Sequence, residues 1–197
     1  QMLKAKGYEV VVNDAAADRA ATEEEMIAGV KGADALLPLL TDKVTAAVMD
    51  VGLPTLKIIA NYAVGFNHVD MDAAKARGII VTNTPGTNEA AVAEYTIAAM
   101  LNIARRLSEG DRATRAGKFK TWGMWDMLGD SIFGKTLGIV GMGKIGSRVA
   151  EIAEKGFGMR IVPIGPEQNI DKLLPECDFV SLHVPLLDST RHLINAV

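Results

Sequence analysis

A single cysteine, Cys177, and three scattered histidines are all the thiol and imidazole chemistry in the 197 residues. One cysteine cannot close an internal disulfide, and the histidines form no recognisable zinc set. A disulfide scaffold and a zinc module are therefore excluded, no metal site is expected, and a reducing, cytoplasmic setting follows. Neither sign of charge dominates. With 21 Lys+Arg against 24 Asp+Glu and a net charge of -3, there is no basic surface to displace counterions, so neither nucleic acid nor an acidic membrane is an expected partner. Long apolar runs are missing as well. The longest stretch without Asp, Glu, Lys or Arg, Ile58 to Val69, is twelve residues and contains Asn and His, too short and too polar to cross a bilayer. The N-terminus has no apolar core of signal-peptide length.

What is present is the composition of an ordinary globular protein, 49% hydrophobic and 23% charged, which excludes disorder, collagen and coiled coil. Short apolar runs alternate with helical patterns, so the expected class is α/β with parallel strands. Strands are expected at Glu9 to Val12, Ala35 to Leu39, Leu56 to Ala60, Ile79 to Thr82, Thr136 to Val140, Arg160 to Ile164 and Phe179 to His183. Thr22 with Glu25 forms a capping box ahead of Met26 to Val30, and Thr41 is expected to start a helix through Met49 that Gly52 ends. The breaker cluster Asn83-Thr-Pro-Gly86 precedes the longest helical pattern, Glu89 to about Arg106, and sets a domain boundary: residues 1-83 and 84-197. The chain begins at Gln1 with a short helical stretch, Met2 to Lys6, where an α/β alternation wants a strand first. It stops at Ala196 and Val197 just after the start of a further helix. A fragment, shortened at both ends, is expected.

Chemistry concentrates in Gly134 to Ala150. Leu137 to Val140 form a short apolar strand, Gly141, Gly143 and Gly146 fall at GxGxxG spacing, and Ile145, Val149 and Ile152 recur at helical spacing. The first glycine permits a tight turn, the second lets backbone approach a pyrophosphate, and the third lets helix and strand pack closely, while the helix start offers free amides. Between a strand and a helix this spacing indicates dinucleotide binding, with a bare structural turn as the alternative. The fingerprint also wants an acidic residue at the end of the next strand. Arg160-Ile-Val-Pro-Ile-Gly-Pro166 has none until Glu167, so either a loop and strand are missing or the adenosine end of the site is abnormal.

The sequence resembles the D-isomer-specific 2-hydroxyacid dehydrogenases across essentially its whole length. Four stretches carry the resemblance: Asn61-Tyr-Ala-Val-Gly-Phe-Asn-His-Val-Asp70; Val81 to Asn88 leading into Val92-Ala-Glu-Tyr-Thr96; Gly134 to Gly146; and Cys177 to Leu186 with Thr190-Arg-His-Leu-Ile-Asn195. Within the family, Asn61 to Gly65 and the loop Trp122 to Gly129 look most like glyoxylate and hydroxypyruvate reductases, with phosphoglycerate dehydrogenases as the runner-up. The resemblance implies a flavodoxin-like substrate domain and a Rossmann domain binding NAD or NADP. By position it implies that Val64 and Gly65 offer backbone amides to the substrate carboxylate, where the alternative is an ordinary βα turn. Thr96 would approach the nicotinamide, and Gly141, Gly143, Lys144, Ile145 and Gly146 would cradle the pyrophosphate. His183, Val184 and Pro185 would line the adenosine side.

Between Arg105 and Lys120 lie six basic and two acidic residues, and then two Trp and two Met within Trp122 to Met127. Such a loop is costly to leave in water and is expected to cover an interface or a pocket. The resemblance makes 105-131 a homodimer arm and Trp122 a residue that enters the neighbouring subunit's substrate pocket. The family's catalytic Arg, Glu and His match no position in this chain, so no catalytic residue is assigned, and His68, His183 and His192 are not promoted. The expected parent reaction is hydride transfer between NAD(P)H and a small 2-oxo or 2-hydroxy acid. A non-catalytic, nucleotide-sensing interaction protein of the same fold is the rival, and a product that only assembles is a third possibility.

Overall fold

In a computed structural model that describes residues 2-14, 18-166 and 168-195, the chain divides into two compact units, Gln1–Thr87 with Pro185–Arg191, and Asn88–Val184 with His192–Val197. Both are α/β with parallel sheets, as the alternation of apolar runs implied. Thr190 to Ile194, where a further helix is expected to start, form turns and bends and no helix, and Glu167 beyond the fifth strand lies outside the described residues.

In the first unit, β1 (Ala35–Leu36), β2 (Ile58–Ala60) and β3 (Ile80–Thr82) pair in that order, with Ile58 opposite Ile80 and Ile59 opposite both Leu36 and Val81. Three helices cover them, α2 (Glu23–Val30), α3 (Ala46–Gly52) and α4 (Met71–Ala76), and the short α1 (Met2–Ala5) precedes them in the chain. The expected capping box is there. Thr22 Oγ1 accepts from Glu25 N–H and the Glu25 carboxylate accepts from Thr22 N–H, which satisfies two orphan donors at the start of α2. Met26 and Val30, one turn apart, enter a core with Val48, Met49, Leu56 and Ile59.

Two expectations fail here. Glu9 to Val12 form no strand: Val11 and Val12 are 80% and 64% exposed, and β-propensity without a partner strand leaves the ladder unmade. Thr41 does not start α3. The Asp42 carboxylate instead accepts from Leu39 and Ala21 N–H, which holds a turn, and the helix is capped by Thr45, whose hydroxyl accepts from Val48 N–H. Gly52 is the last residue of α3, as expected, and a Cβ there would stand 3.0 Å from Leu56 Cβ and 3.1 Å from Val30 Cγ2.

In the second unit, β4 (Thr136–Val140) lies between β5 (Arg160–Ile164) and β6 (Phe179–Leu182), and all three are parallel. Every residue of β4 is buried, as the central strand of a sheet covered on both faces requires. The chain runs through α7 (Lys144–Phe157) to β5, then through α8 (Ile170–Leu173) and a short 3-10 turn to β6 on the opposite flank of β4. The strand order therefore reverses at the carboxyl end of β4. The longest helix, α5 (Glu89–Ala104), packs on α7 through a stripe at Ala93, Ile97, Met100 and Ala104 that meets Val149, Ala150 and Ala153. It ends two residues short of Arg106, which sits in the left-handed region at φ 53°, pairs with Glu109 and leads into α6 (Leu107–Arg115). Among the described residues no helix is long and apolar enough to cross a membrane.

Candidate functional site

In the second unit, the carboxyl end of β4 is where a doubly wound sheet opens for a ligand, because connections leave it in opposite directions. Gly141 takes φ +93°, a conformation that L side chains rarely adopt. A Cβ at Gly141 would stand 2.8 Å from the His183 carbonyl oxygen and 2.8 Å from Val184 Cγ1, so the turn is pressed against the end of β6. A Cβ at Gly146 would overlap the carbonyl oxygen of Gly141, and Gly146 is buried where α7 passes β4. Gly143 differs: nothing lies within 4 Å of its would-be Cβ. The first and third glycines are thus required by the fold, and the second faces open space.

Gly143 is the N-cap of α7 and supplies no side-chain cap, so the first helical amides, from Lys144 onward, are left for an outside acceptor. This cradle fits a pyrophosphate. Lys144 Nζ is 3.7 Å from Glu89 Oε1 at the start of α5 and otherwise extends into solvent. His183 N–H donates to Val140 O, which carries the β4–β6 pairing one residue past the strand, and its Nε2 lies 2.9 Å from Ser181 Oγ. Burial pushes its pKa down, so the ring is neutral at pH 7. At the end of β5, Ile164, Gly165 and Pro166 present no acidic side chain. Thr96 stands midway along α5, and its hydroxyl donates to Val92 O at 2.8 Å.

Gly141, Gly143, Lys144, Ile145, Gly146, His183 and Val184 thus meet at one end of one sheet. Pro185 falls in the first unit, where its carbonyl accepts from the Thr190 hydroxyl. Trp122 and Trp125 are each 79% exposed, and Met124 and Leu128 beside them are exposed too.

Val64 and Gly65 belong to the first unit, in the loop that follows β2. Three consecutive carbonyls of that loop are tied down. Ala63 O accepts from Thr84 N–H at 3.0 Å, Val64 O from Asn83 Nδ2 at 2.9 Å, and Gly65 O from Asn61 Nδ2 at 2.8 Å. Asn61, only 2% exposed, also places Oδ1 2.9 Å from His68 Nε2. Sequence reasoning passed over Asn61, Asn83 and His68 as site builders; the visible signal was an Asn flanking each strand end beside a Gly-containing loop. Among the described residues no group of three or more His, Cys, Asp and Glu is placed to hold a metal ion.

The profile of the D-isomer specific 2-hydroxyacid dehydrogenase catalytic domain matches residues 1–181. Similar proteins include a glyoxylate reductase of Korarchaeum cryptofilum, 46% identical over 187 residues, which are 88% of this chain and 56% of that protein. Another, from Thermofilum pendens, is 40% identical over 201 residues, 95% of this chain and 59% of the relative. A D-lactate dehydrogenase of Aquifex aeolicus, solved with NAD and lactic acid, superposes with a TM-score of 0.76 at 31% identity, covering 90% of this chain and 55% of its own. The chain spans a little over half the length of these relatives.

Proposed function

The chain belongs to the D-isomer specific 2-hydroxyacid dehydrogenase family, and on that premise we propose that its parent protein reduces a small 2-oxo acid, of the glyoxylate or hydroxypyruvate type, with NADH or NADPH. The observation that carries this is the glycine turn at the reversal of strand order, where crowded Gly141 and Gly146 frame open Gly143 at the start of α7. The amides that open α7 bind the pyrophosphate, and Lys144 adds a cation beside it. Thr96 borders the nicotinamide, and His183 and Val184 border the adenosine. Amides of Val64 and Gly65 hold the substrate carboxylate. When bound, the nicotinamide supplies the hydride.

The homodimer arm at 105-131 is part of the same proposal. Its support is the exposure of Trp122, Met124, Trp125 and Leu128, more apolar surface than one loop keeps in water without a partner. A cytoplasmic location accords with a single half-buried thiol. Calorimetric titration of the chain with NADH tests the cofactor site. Binding is expected, and Gly143→Val abolishes it while leaving the circular dichroism spectrum intact; equal binding by that variant overturns the assignment. Sedimentation tests the arm: a dimer is expected, and Trp125→Glu with Leu128→Glu shifts it to monomer.

A further inference from the structure

We propose that Asn61 and Asn83 are positioning residues that turn the backbone amides of Val64, Gly65 and Phe66 outward toward the carboxylate of a 2-oxo acid, with His68 fixing the orientation of Asn61. The proposal rests on the oxo-acid reading above and adds to it the third amide, Phe66, and the side chains that set all three.

A trans peptide is planar, with its C=O and the following N–H pointing to opposite edges. Tying a carbonyl therefore aims the next residue's amide the other way. The carbonyls of Ala63, Val64 and Gly65 are tied by Thr84 N–H, Asn83 Nδ2 and Asn61 Nδ2. The amides so aimed are those of Val64, Gly65 and Phe66, and no acceptor among the described residues takes a hydrogen bond from any of them. Consecutive free amides form the kind of concavity that accepts an anion. The tethers are neutral, so they set the amides without placing a competing carboxylate beside them.

Asn61 works only one way round. Turned over, its Oδ1 would face the Gly65 carbonyl oxygen, acceptor against acceptor. A proton on His68 Nε2 donates to Oδ1 at 2.9 Å and selects the correct face. Folding does not demand glycine at position 65, since a Cβ there would meet only Asn67 Oδ1, at an ordinary 3.5 Å. The space above the loop is kept clear of side chain.

The test is a titration of the 15N-labelled chain with oxamate, an unreactive 2-oxo-acid mimic, followed by amide resonances. The signals of Val64, Gly65 and Phe66 are expected to shift saturably. Asn83 is exposed, so Asn83→Ala and Asn83→Asp fold; Asn83→Ala is expected to weaken oxamate about three- to tenfold, one lost hydrogen bond, and Asn83→Asp more, because it also sets a carboxylate beside the amides, with the rest of the spectrum unchanged. Asn61→Asp, which keeps the shape and loses the donor, weakens it further. A merely structural role would move the spectrum or the melting temperature and leave affinity alone. Acetate separates the two levels: if it shifts the same three amides as strongly as oxamate does, and Asn83→Ala weakens both, the positioning role stands and the oxo-acid reading fails. Oxamate binding that spares these amides, or that Asn83→Ala and Asn83→Asp leave unchanged, overturns the positioning role while the oxo-acid reading survives.

Discussion

The loop after β2 and the turn after β4 both follow a strand and both leave backbone amides without a protein acceptor, yet they are built in opposite ways. The turn after β4 works by removing side chains: Gly141 and Gly146 have no room for a Cβ, and the helix start orients the amides. The loop after β2 works by adding them: two asparagines and a backbone amide hold three carbonyls back. A helix supplies amide direction through its own hydrogen-bond pattern, so sequence need only clear space. A loop has no such pattern and must fasten each peptide separately.

The largest expected effect sharpens the contrast among the glycines themselves. Gly146→Ala forces a Cβ onto the Gly141 carbonyl, a backbone atom that cannot swing aside. It is expected to destabilise the second unit by about 3 kcal/mol in chemical denaturation. Gly143→Ala, at an N-cap with φ -74° and open space around it, is expected to cost under about 1 kcal/mol. Equal losses from the two would break the division between glycines required by packing and the glycine left open.

A middle-sized effect belongs to the first unit, at the capping box. Thr22→Ala removes the acceptor for Glu25 N–H and is expected to cost about 1 kcal/mol. Glu25 adds a pH dependence of definite sign. The Arg19 guanidinium 2.6 Å away, and then the Thr22 amide, hold its carboxyl down at about 2 against an ordinary 4.5. Its contribution is therefore fully present above pH 4.5 and is lost as pH falls through 2. The pair is exposed, so the effect is small and weakens with salt. Helicity of Thr22→Ala and Arg19→Ala variants between these limits measures it.

The glycine turn was legible in the sequence because its rule is local: a strand, three glycines at fixed spacing, then a helical stripe. The same locality made β4 and β5 readable to the residue and gave the Thr22 box. What was not legible depended on partners distant in the chain. Glu9 to Val12 have the residues of a strand, but pairing decides. The start of α3 was misplaced because the Asp42 turn, which ties Leu39 and Ala21, competes with helix from Thr41. Asn83 reaches back 19 residues to Val64, a spacing set by the strand and helix between them and by no motif.

The smallest effect compares the two half-buried histidines, one in each unit. His68 meets Asn61 Oδ1 and His183 meets Ser181 Oγ, neutral partners both, and burial lowers each pKa below the ordinary 6.5. The folded chain therefore takes up these protons later than the unfolded chain does. Below pH 6.5 the unfolded state binds more protons, so stability is highest above that value and falls as acid is added. The two differ in one respect: the Asp42 carboxylate partly offsets burial at His68, and no such charge acts on His183. Below pH 6.5, His183→Gln is thus expected to flatten the loss of stability more than His68→Gln does. Histidine ring titrations by NMR check the premise directly, and a His68 that titrates above 6.5 would reverse the sign for the first unit.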